Sequence, residues 1–105
     1  MAAESDDTPI IDLLTSMTAA SLEASSLDIE TLMLVRIAAL VAVNAPVASY
    51  LLNLGAAGEV GVKLEQVQGV LTGIAPIVGT TRTLAATTNI AQALGIALEA
   101  ADLAE

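Results

Sequence analysis

A chain of 105 residues is one domain of ordinary size, and this one is 55% hydrophobic with a net charge of −9. It has no cysteine and no histidine, which excludes disulfides, thiolate metal sites, thiol nucleophiles and the commonest general base. The acids gather at the ends, seven with no base in residues 1–30 and three with no base in residues 99–105, so the body is nearly neutral and offers no basic surface to nucleic acid or an anionic membrane.

Residues 1–7 are small and acidic and read as a frayed tail, which leaves 8–105 as a single all-helical domain. Thr8-Pro9 reads as an N-cap with proline at the first helical position. Ile10, Leu13, Leu14 and Met17 then form a helical stripe reaching towards Leu22, and Ser25-Ser26 breaks it. Asp28 is the next N-cap. From Leu32 to Val43 only Arg36 is polar, so this helix is expected to be central and buried all round. It should end near Asn44, because Pro46 biases the residue before it away from helical angles.

Pro46 then starts a helix running through Tyr50 and Leu54 to about Ala57, with Gly55, Gly58 and Gly61 loosening its end. A fourth helix runs from Lys63 to Ile74 on Leu64, Val67, Val70, Leu71 and Ile74, and Ala75-Pro76 is expected to kink or stop it. Gly79-Thr80-Thr81 opens the last helix, which reaches about Ala101. Leu84, Ala91 and Leu98 fall seven apart, with Thr87, Leu94 and Ala101 between them, as a short heptad-like seam. The expected architecture is a compact all-α bundle of about five helices.

A monomer of this size buries only about 60–70% of its extended-chain surface, so so apolar a chain leaves patches that mark subunit interfaces. A homo-oligomer is expected. One Tyr is the only aromatic residue, so no stacking platform for bases exists. The apolar run from Ile37 to Ala57 is cut by Asn44-Ala45-Pro46 and falls short of the ~20 apolar residues of a membrane span. The acidic N-terminus lacks the basic start of a signal peptide. The location expected on these grounds is cytoplasmic, with no membrane contact.

The stretch Leu32 to Tyr50, Leu64-Glu65-Gln66-Val67-Gln68-Gly69-Val70-Leu71, and Gly73-Ile74-Ala75-Pro76-Ile77-Val78-Gly79 follow one another with the helix order just read. Over roughly residues 28–95 this resembles the carboxymuconolactone decarboxylase / alkylhydroperoxidase D-like family. The resemblance implies that family's helical fold and a trimer or a hexamer built from two trimers. The redox branch of the family carries a Glu, two Cys separated by two residues, a His four residues beyond the second Cys and a second His. Those positions fall here on Leu40, Val43, Pro46, Tyr50 and Gly73. Thiol attack on a peroxide or disulfide therefore has no group to perform it. The chain is expected to be a divergent, non-redox member, not a thiol peroxidase.

Four residues are candidates for a ligand site. Tyr50, the best catalytic candidate, is alternatively a helix-facing residue with its hydroxyl at a rim; with a pKa near 10 it is a poor base at neutral pH. Arg36 is either a clamp for a carboxylate or half of an ion pair with Asp28, Glu30, Glu65 or a neighbouring subunit. Arg82, in the first turn of the last helix, either holds an anion there or is an exposed or intersubunit cation. Asn44 is a turn or cap residue that would also stand at the site wall. Ser49 has no neighbouring base to activate it. No carboxylate cluster has metal-site spacing, and no cofactor is expected. Three functions remain open. One is a non-redox scaffold that binds a small organic acid or apolar metabolite. The second is a lyase, decarboxylase or isomerase acting on a small carboxylated compound, and the third a non-catalytic assembly module.

Overall fold

Five α-helices make up the computed structural model, which describes the backbone of residues 8–104 and the side chains of residues 8–99: α1 (Pro9–Ala24), α2 (Ile29–Ala42), α3 (Val47–Glu59), α4 (Leu64–Val78) and α5 (Thr80–Ala104). No strand occurs among the described residues. The acidic tail expected at 1–7, and Ala101 of the heptad-like seam, lie outside the residues whose side chains are described.

Each boundary has a local cause. Pro9 occupies the first turn of α1, where its missing N–H costs nothing, and the Thr8 hydroxyl donates to the Asp12 carboxylate. Asp28 caps α2 by accepting the Thr31 amide at 2.7 Å. At the other end of α2 the chain makes a Schellman turn: the Asn44 amide donates to the Val41 carbonyl and the Ala45 amide to the Leu40 carbonyl, with Asn44 at φ 56° in the left-handed region. The end of α3 repeats this turn with Gly61 at φ 97°. Gly55 and Gly58, expected to loosen α3, lie inside it.

Pro76 neither stops nor ends α4, which continues to Val78. Only the last turn follows it, so one intrahelical hydrogen bond is lost, and the helix stops instead where Gly79 turns to φ 93°.

α2 is the hub and packs against α3, α4 and α5, while α3 and α5 pair with each other. Leu32, Met33, Ile37 and Val41 of α2 meet Tyr50 and Ala57 of α3, Val67 of α4, and Ala86, Ile90 and Ala93 of α5 in one core. Ile37, Val41 and Tyr50 are the largest side chains closed off from solvent. Each such burial is worth roughly 1.5–3 kcal/mol.

One expectation about faces is corrected. α2 is not buried all round, because Val35, Ala39, Ala42 and Val43 lie exposed on the side opposite Ile37 and Val41. On α5 the core face is Ala86, Ile90 and Ala93, and the heptad-like seam is split: Leu94 packs against the core, whereas Leu84 and Leu98 are more than 60% exposed. Both faces were apolar in sequence, and a 3.6-residue period alone does not say which of two apolar faces meets the core.

α1 stands apart. None of its residues is buried, and its whole apolar stripe faces solvent. Its tie to the body is at its last turns, where the Arg36 guanidinium donates to the Ser21 hydroxyl at 2.9 Å. The projecting arm fits a radius of gyration of 15.1 Å, against about 13 Å for a globule of ~100 residues.

Candidate functional site

The break between α2 and α3 is held from across the molecule by α5. Arg82 donates to the Ala42 carbonyl at 2.7 Å, and the Asn89 amide donates to the Ala45 carbonyl at 3.3 Å. Ala42 is the last residue of α2, so its carbonyl has no partner within the helix. A guanidinium at that end also meets the negative pole of the helix dipole. Arg82 gains nothing from the N-terminus of its own helix and is placed to complete the C-terminus of α2.

Asn44 stands exposed at this break as the left-handed residue of the Schellman turn. Tyr50 lies one turn into α3, 1% exposed and packed in the core. Its hydroxyl makes no hydrogen bond among the described residues. Burial raises its pKa above the usual phenol value, which keeps it neutral through the physiological range. Ser49 is half-buried, and its backbone carbonyl accepts from the Asn53 amide side chain.

The structure therefore brings Asn44, Arg82 and the start of α3 together at one end of α2, and does not bring Arg36 to them. Arg36 lies two turns back and reaches Ser21. It forms no ion pair with Asp28, Glu30 or Glu65; no two oppositely charged described residues are paired. Tyr50 lines neither of the two hollows found among the described residues.

Open space lies elsewhere. A cleft of about 150 Å³ runs between the end of α3, the start of α4 and α5, lined by Leu54, Ala57, Gly58, Val62, Lys63, Leu64, Val67 and Leu94. All its side chains are apolar except Lys63, which is exposed and has no acid partner. The Lys63 amide is itself held by the Gln66 side chain at 2.8 Å, which fixes the residue at the N-cap of α4. A second, shallow hollow at the start of α2 is lined by Asp28, Glu30, Thr31 and Gln66 and carries two carboxylates without a cation.

Sequence reasoning missed Lys63 and Asn89. Lys63 was visible as the lone cation after the Gly58–Gly61 turn, but the cleft it borders is formed by residues up to 40 positions apart. The contact of Asn89 spans 44 positions and leaves no local pattern. Among the described residues no group of acids is arranged to hold a metal ion, and no helix is long and apolar enough to cross a membrane. No protein-family model matches the chain, and comparison with curated proteins and with solved structures returns no match.

Proposed function

We propose that this chain is a non-redox relative of the carboxymuconolactone decarboxylase / alkylhydroperoxidase D-like proteins that binds a small organic acid on a self-associating helical scaffold. The family assignment rests on the helix order and on the Ile74–Gly79 run read from sequence; the all-helical fold is compatible with it. The ligand reading rests on one observation, the apolar cleft of about 150 Å³ with the unpaired Lys63 on its wall. Apolar walls with one placed charge are how small-molecule sites combine affinity with orientation. The volume suits a short aliphatic or single-ring acid, its tail against Ala57, Val67 and Leu94 and its carboxylate near the ammonium group.

The deciding experiment is calorimetric titration with hexanoate and benzoate. The wild type and Arg36→Met bind, and Lys63→Met loses binding by at least tenfold. Equal affinities in wild type and Lys63→Met remove the lysine from the site. Loss in Arg36→Met alone restores Arg36 as the clamp.

A second reading, the non-catalytic assembly module, is favoured by Tyr50 being packed into the core, 1% exposed. Absence of binding to any of the three proteins selects that reading.

A further inference from the structure

An amphipathic helix gains its stability in a protein mainly by burying its apolar stripe. α1 buries none of it: Ile10, Ile11, Leu13, Leu14, Met17 and Leu22 are all exposed, Ile10 by 70%. These six residues expose on the order of 600 Å², close to the ~800 Å² that one partner contributes to a standard interface. The body has a matching unpartnered surface. Val35, Ala39 and Val43 fall four apart along the solvent side of α2 and form one apolar ridge. On α1, Ile10 and Leu14 form a ridge of the same spacing, with Met17 beside it.

Charge selects the occupant. Residues 1–24, up to the end of the arm, carry five acids and no base, whereas residues 25–98 carry three cations against four acids. Two arms laid together would oppose acid to acid. An arm laid on the body of another chain sets acids against Arg36 and Arg82, neither of which is ion-paired within its own chain.

We infer that α1 is an exchanged arm: its Ile10–Met17 stripe lies on the Val35–Ala39–Val43 ridge of a second copy of this chain. The inference rests on the self-association in the proposed function and adds the surface by which it occurs. Each copy offers one arm and one ridge, so the exchange closes as a reciprocal pair or as a ring. The four residues between α1 and α2 let the arm leave its own body, and the Arg36–Ser21 bond anchors its last turns.

The native chain has no cysteine, so single thiols can be placed without background. Met17→Cys and Ala39→Cys change exposed positions and leave the helical circular dichroism intact. The two variants are mixed, unfolded and refolded together, then treated with a short bis-maleimide. A covalent product joining one chain of each kind is expected, with the double variant M17C/A39C giving closed covalent oligomers. Light scattering on the untreated proteins separates the failures. Oligomers that yield no mixed product, or that link only Met17→Cys to itself, overturn the arm exchange and leave self-association standing. A double variant that cross-links only within one chain shows the arm folded on its own body and also overturns it. A monomer in every sample overturns both.

Discussion

At the scale of single residues, Tyr50 and Arg82 show how position decides chemistry. Tyr50 is the only aromatic residue and lies in the core beside Ile37 and Val41. A phenol whose pKa is raised by burial is folded preferentially in its neutral form. Its contribution to stability is complete below the unfolded value of about 10 and is lost as pH rises from there through the raised folded value. Urea midpoints should therefore fall as pH rises above about 10 in the wild type and hold steadier in Tyr50→Phe. The same slope in both proteins would show that the hydroxyl has free access to water. Arg82 shows the converse. Its sequence position beside Gly79-Thr80-Thr81 left open an anion site or an exposed cation, and it is an exposed residue that donates to the carbonyl of Ala42.

At the scale of elements, the helices were legible in the sequence because their ends are written in side chains. Pro9, Asp28, Asn44 and Gly79 act within a few residues of where they stand, so their effects need no tertiary information. Pro76 was misread because the cost of an internal proline depends on how much helix follows it, and here only the last turn does. Which face of α2 or α5 turns inward was not legible, since Val35 and Ile37, or Leu84 and Ile90, are equally apolar. The cleft was illegible for a related reason, because Lys63 meets Leu94 only after α3, α4 and α5 have packed.

Two glycines of one helix region test the account of the turns. Gly61 sits at φ 97° with open space around its Cα, and Gly55 sits inside α3 with open space too. Gly61→Ala should cost about 1–2 kcal/mol from backbone strain alone, while Gly55→Ala should stabilise by about 0.5–1 kcal/mol. Chemical denaturation of both variants checks the pair, and a neutral Gly61→Ala would remove the argument that this left-handed turn terminates α3.

At the scale of the molecule, the single chain leaves much apolar surface uncovered. Its core is one cluster around α2, and the apolar stripe of α1, one face of α2, and Leu84 and Leu98 of α5 remain exposed. Exposed apolar surface on this scale commonly marks interfaces, and in the proposed arm exchange the acids of the arm meet the cations of the body. The absence of any thiol removes thiol-dependent peroxide chemistry, and the apolar cleft beside Lys63 is where the proposed binding of a small acid is to be sought. The central claim is that the fold is completed by further copies of itself. Light scattering across a dilution series at micromolar concentration tests it most directly. The account predicts a mass that is an integral multiple, two or greater, of 10.5 kDa and falls on weakening the stripe with Leu14→Glu. A mass of 10.5 kDa for the wild type throughout the series would contradict it.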